Sequence, residues 1–185
     1  MKPLTVIFCI LFGLGFTQNT FAEDLPPLPD AELEIVATLE KGPGNIAVTP
    51  EGRIIISLHQ FYEPEYRVME LLHDGRLAPF PNKDWSGPPA ADGIGLNAVL
   101  GLRADRRGVV WMLDNGGKVP KVVAWDTQFN RLHRIIHIPE PVTRPSSLHN
   151  DLAVDHVNEA LYIADIGGDK GPAVVVVDLK TGQSR

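Results

Sequence analysis

Apolar positions in this chain fall in short runs separated by turns rich in Gly, Asn and Asp, and one version of that arrangement occurs three times. The copies are Ile46–Ser57, Leu102–Asp114 and Leu152–Asp165, each an apolar stretch, a turn and a second apolar stretch ending on a polar residue. Val48, Ala104 and Val154 align at spacings of 56 and 50 residues. Pro50-Glu51-Gly52 and Arg106-Arg107-Gly108 place turn formers between runs of β-branched and aromatic side chains, so the copies predict β-hairpins. A second hairpin follows each first one: Arg67–Phe80 around His73-Asp74-Gly75, Lys121–Ile138 around Asp126–Asn130, and Ala173–Arg185 around Asp178–Gly182. Asp126 and Asp178 stand 52 residues apart, so the period holds in the outer hairpin too. No segment carries a convincing helical period.

Four antiparallel strands about every 50 residues is the sequence form of a β-propeller blade, with the first strand lining the axis and the fourth facing solvent. Val174–Val177 predicts a strand buried on both faces between neighbouring blades. A β-sandwich and a three-repeat solenoid are the competing architectures. Propellers close with about 4 to 8 blades, whereas this chain predicts three, with Arg185 falling where the last strand of the third begins. The expectation is an all-β, partial β-propeller over 23–185, truncated at its C-terminus. Pairing of two copies into one ring is the alternative.

The first residues follow another rule. Lys2 precedes an uncharged apolar run, Leu4–Phe16, and Thr20-Phe21-Ala22 supplies small residues at the spacing of a processing site, so 1–22 predicts a signal peptide cleaved after Ala22. About 13 apolar residues make a helix of roughly 20 Å, short of a hydrocarbon core of about 30 Å. The product is therefore expected to be secreted or periplasmic, with no membrane span after processing. The one cysteine, Cys9, lies inside that segment, which leaves no thiol for a disulfide. Losing Lys2 makes the processed chain one unit more acidic than the full chain's net −6. That balance argues against nucleic acid as a partner, which needs clustered Lys and Arg.

Gly42-Pro43-Gly44-Asn45-Ile46-Ala47-Val48, Val99-Leu100-Gly101-Leu102-Arg103-Ala104-Asp105, Val110-Trp111-Met112-Leu113-Asp114-Asn115-Gly116 and Asn150-Asp151-Leu152-Ala153-Val154-Asp155 form an ordered set of segments. Together they resemble bacterial members of the major royal jelly/yellow protein family. Their order and blade spacing make the set more specific than any one of them, and the resemblance covers nearly all of 33–185. It implies a six-bladed propeller, an exported protein, kinship with dopachrome-tautomerase-related proteins, and a small ligand (amine, catechol-like or apolar) in or near the axial channel. Membership does not by itself imply a reaction.

Because the first two strands of a blade run antiparallel, residues entering strand one and leaving strand two emerge at the same end of the ring. That rule collects Asn45, Asn150 and Asp151 at the entering side, and Ser57, His59, Asp114, Asn115 and Asp165 at the leaving side. Asn45, Asp114, Asn150, Asp151 and Asp165 are the candidate ligand-binding residues, at a mouth where several blades converge. For Asn150-Asp151 two readings stand: channel-facing oxygens for a hard cation or a polar substrate group, or capping of the turn before the strand. No cofactor is certain, and a divalent cation such as calcium is the one candidate. Asp105 and Asp155 occupy hairpin turns at the opposite end and are expected to be structural.

The six histidines show no metal-ligand spacing. Alternation puts His133 and His137 on one side of a strand, and His149 sits beside Asn150. Gly42-Pro43-Gly44, Gly93-Ile94-Gly95 and Gly167-Gly168 precede no helix and read as loops. There is no Gly-x-Ser-x-Gly elbow. Trp85, in the Pro-rich loop 79–89, is expected to be buried between loop and blade rather than to cover a ligand.

Three functions follow. The first is an exported small-ligand-binding propeller, with or without tautomerase activity, in which Asp151 or Asp114 would be the general base. The second is a metal-dependent lactonase or related hydrolase. Such propellers carry Glu directly before Gly-Pro, whereas this chain has Lys41-Gly42-Pro43 with Glu40 one position away. The third is a non-catalytic protein-interaction propeller.

Overall fold

Each repeat begins with a hairpin whose turn is closed by a side chain at its first position. Thr49 Oγ1 accepts from Arg53 N, Asp105 Oδ1 accepts from Arg107 N and Val109 N, and Asp155 Oδ1 accepts from Val157 N and Asn158 N. Asp105 and Asp155 are thus the turn-formers expected at these sites. Gly52 and Gly108 follow with φ of +82° and +74°, a region open to glycine. The computed structural model describes residues 33–167 and 171–185. The expected signal peptide, its cleavage after Ala22, Cys9 and Gly168 lie outside the described residues.

Eleven strands form three antiparallel sheets among the described residues. The first sheet is β1 (Pro43–Val48), β2 (Ile54–Leu58), β3 (Val68–Leu71) and β4 (Leu77–Pro79), in that order. The second is β5 (Val99–Ala104), β6 (Val109–Asp114), β7 (Lys121–Asp126) and β8 (Arg131–His137). The third is β9 (His149–Asp155), β10 (Ala160–Asp165) and β11 (Ala173–Asp178), with Ser184 bridging back to Val177. The hairpins expected from the repeat are present except that the second arm of the last one is only the Ser184 bridge, and β11, expected to be buried on both faces, leaves Val174 exposed. The one α-helix among the described residues, α1 (Lys83–Ser86), was not legible in the apolar pattern because it is a single turn. It is started by Asn82, whose side chain accepts from Trp85 N, and it buries Trp85 as expected.

The sheets pack side by side, and the middle one is covered on both faces. Val110, Met112, Val123 and Trp125 pack with Ile55 and Val68 of the first sheet and with Phe80 just past β4. The alternate residues Val109, Trp111, Leu113, Val122 and Ala124 pack with Leu152, Leu161, Ile163, Val175 and Val177 of the third. Every residue of β6 is accordingly buried. At about 25 cal/mol per Å2 of apolar surface removed from water, such two-sided burial is what holds the sheets together. The first strands also lie against one another, β5 touching both β1 and β9. Sheets laid like blades with their first strands converging form a β-propeller arrangement, the fold class expected from the repeat.

Candidate functional site

The register places three residues at equivalent points on the converging strands. Val48 pairs with Ile54, Ala104 with Val110 and Val154 with Leu161. Three residues before each stand Asn45, Gly101 and Asp151. Asn45 Nδ2 donates to Asp151 Oδ1 at 3.1 Å, joining the first sheet to the third. Gly101 makes the crossing possible, since a Cβ there would lie 2.9 Å from Asp151 Cα and 3.1 Å from its Oδ1. Arg103, two residues further along β5, donates to Asp151 Oδ2 at 2.8 Å. Leu152 N also donates to Oδ1. One carboxylate therefore gathers groups from all three sheets, with the Arg103 and Asp151 side chains 44% and 36% exposed. Asn150 beside it is exposed.

The other two candidates at this end stand apart from that cluster. Asp114 is fully buried: it accepts from Asn97 N, Ala98 N, Gly116 N and Asn97 Nδ2, with Lys121 Nζ at 4.0 Å. Its counterpart Asp165 accepts from Ser147 Oγ, the Arg144 guanidinium, Leu148 N and Gly167 N. Burial would raise the Asp165 carboxyl, but the hydrogen bonds from Ser147, Arg144, Gly167 and Leu148 outweigh it and hold it far below the usual carboxylate range. Both carboxylates tie the loop entering a sheet to the end of that sheet's second strand. Their acceptor capacity is taken up by the protein itself.

The remaining polar residues at this end act between sheets or in loops. Ser57 Oγ donates to the Leu100 carbonyl at 2.9 Å, and Asn115 Oδ1 accepts from His149 N at 2.8 Å. His59 Nδ1 accepts from Phe61 N in a short 3-10 turn, Gln60–Tyr62. His149 is fully buried with neither ring nitrogen bonded; burial lowers its pKa, while Asp165 raises it and Arg144 lowers it further. A β-bulge between Ala124 and Trp125 inserts His133, whose ring lies 5.9 Å from Trp111. His133 thereby joins the Trp111 face while His137 stays on the other, which overturns the expected shared side.

Asn150 and Asp151 do not fit a calcium ion as they stand. Both Asp151 oxygens already accept hydrogen bonds, and a guanidinium 2.8 Å away opposes a second cation. Among the described residues no three His, Cys, Asp or Glu side chains converge as metal ligands, and no helix is long and apolar enough to cross a membrane.

Residues 97–184 match the major royal jelly protein family. The royal jelly segment takes in the second and third sheets, and with them Gly101, Arg103, Asp114, Asn150, Asp151 and Asp165; Asn45 lies before it. No curated protein sequence matches the chain significantly. Among solved structures, the PQQ-bound aldose sugar dehydrogenase of Streptomyces coelicolor is similar at a TM-score of 0.52 and 16% identity, over 78% of this chain and 47% of that one. A gluconolactonase of Xanthomonas campestris is similar at a TM-score of 0.51 and 19% identity, over 82% of this chain and 49% of that one. This chain thus spans about half the length of either, and at such identities the likeness concerns the fold.

Sequence reasoning singled out Asn45 and Asp151 but missed Gly101 and Arg103. The signal was there: the three-residue offset that equates Asn45 with Asp151 also lands on Gly101, and Arg103 follows two positions on, on the same side of the strand.

Proposed function

We propose that this chain is part of an exported, six-bladed propeller of the royal jelly/yellow type, which takes a small amine, catechol-like or apolar ligand at the axial mouth. The single observation that carries this reading is the Asp151 cluster. A partly exposed carboxylate and guanidinium, drawn from different sheets, sit where the first strands converge. Such a pair offers an acceptor and a fork of donors to one ligand in a defined orientation.

If the ligand is turned over, as in a dopachrome-type tautomerisation, Asp151 is the residue to accept the proton. Of the three candidate carboxylates, Asp114, Asp151 and Asp165, only Asp151 is accessible, since the other two are enclosed by their own hydrogen bonds. A metal-dependent lactonase has less support, because Arg103 occupies the carboxylate and Lys41 stands where a carboxylate would help.

The test is a calorimetric titration of dopamine into wild type, Asp151→Asn and Arg103→Ala, alongside a dopachrome-conversion assay. Removing the Asp151 charge should weaken binding at least tenfold, roughly 1.4 kcal/mol for a charge-assisted bond. Unchanged affinity in both variants, or no binding to the wild type, would overturn the proposal.

A further inference from the structure

Basic side chains collect at the opposite end of the sheets, away from the mouth. There a cleft of about 300 Å3 opens between the second sheet and the third. Arg107 from the β5–β6 turn, Trp111 on β6, and His133 and Arg134 on β8 form one wall; His156, Glu159 and Lys180, from turns of the third sheet, form the other. Three of these, Arg107, Arg134 and Lys180, are cationic and two are histidines, against the single lining carboxylate Glu159, in a chain of net charge −6.

The cationic groups are held in place by the scaffold. Arg134 donates to the Leu179 carbonyl, which spends one of its five N–H groups and leaves the rest of the fork. Buried Asp105 accepts from Trp111 Nε1 at 2.9 Å and lies 3.0 Å from His156 Nε2, setting both walls from below. The bulge in β8 turns His133 toward Trp111. Lys180 pairs with Glu159 at the rim. Among the described residues no carboxylate is bonded to Arg107, His133 or Arg134. Arg107 and Arg134, brought together with no carboxylate bonded to either, cost stability, and that cost is recovered when an anion sits between them.

We propose that this cleft binds a small molecule bearing an oxyanion, a phosphate or a carboxylate group, independently of the axial mouth. The guanidinium forks of Arg107 and Arg134 match such a group in geometry as well as charge.

The experiment follows the histidine imidazole signals by NMR while inorganic phosphate, or in a second arm acetate, is added at constant ionic strength. His133 and His156 should shift saturably in the millimolar range while His59, His73 and His137 stay still. Arg107→Ser should raise the half-saturation concentration at least fivefold and His133→Asn at least twofold, whereas Lys118→Ser, at the other end, should leave it unchanged. Binding of phosphate tenfold tighter than acetate would mark a phosphate-bearing ligand, and comparable binding a carboxylate. Shifts that fail to saturate in both arms, equal movement of all five histidines, or an Arg107→Ser variant with wild-type affinity would overturn the proposal.

Discussion

At the residue scale, the same side chain does different work according to how many donors surround it. Asp114 and Asp165 were legible as polar residues ending a second strand, but not as anchors. Their partners are backbone N–H groups about 17 residues earlier, in loops whose path no periodicity describes. Asp165→Ala should lower stability by about 3 kcal/mol, because it removes the buried acceptor shared by Ser147 Oγ, Leu148 N, Gly167 N and the Arg144 guanidinium; urea denaturation reads the change. The pH dependence follows from its depressed pKa. The stabilisation is complete above the unfolded-state value near 3.8 and is lost as pH falls below it, so the variant should flatten acid unfolding in that range. His149 has the opposite chemistry. With its folded pKa below 6.5, the unfolded chain takes up the proton first, and stability declines as pH falls from about 7. His149→Leu also removes two unbonded buried nitrogens, so its melting temperature should exceed wild type by more at pH 5.5 than at pH 7.5.

At the element scale, strands and hairpins were readable because alternation and turn chemistry are local. The bulge in β8 and the single-turn helix were not, since each depends on what the neighbouring strand or loop demands. Gly101 shows the limit most clearly. It is unremarkable within β5, and its role appears only when β1 and β9 are brought to either side of it. Gly101→Ala should cost about 1–3 kcal/mol, since the added methyl meets the backbone at Asp151 Cα and the Asn150 carbonyl as well as the Asp151 carboxylate. The same variant should separate Asn45 from Asp151 and weaken dopamine binding together with stability. Thermal unfolding and calorimetry on one sample would test both effects.

On the scale of the whole molecule, the period of about 50 residues carried the architecture, because sheets with two apolar faces have few ways to hide them. The order in which the sheets lie against each other was therefore within reach of the sequence. The meeting of Asn45 with Asp151, 106 positions apart, was not: the repeat brings both to one end but sets no distance between them. Coupling between sheets can be tested through Leu113, fully buried on the face shared with the third sheet. Leu113→Ala should destabilise by about 2–5 kcal/mol in a denaturant titration. An effect below 1 kcal/mol would mean that the two sheets stand independently.

β6 meets protein on both sides, and this has a consequence for the chain before it folds. Val109-Val110-Trp111-Met112-Leu113 has no solvent-facing residue to make polar, so the segment is a strand former with no charge of its own. Released from its neighbours, such a stretch is adhesive toward other copies of itself. Arg106 and Arg107 on one flank and Asp114 on the other are where the chain carries charges that oppose that self-association, as gatekeepers do.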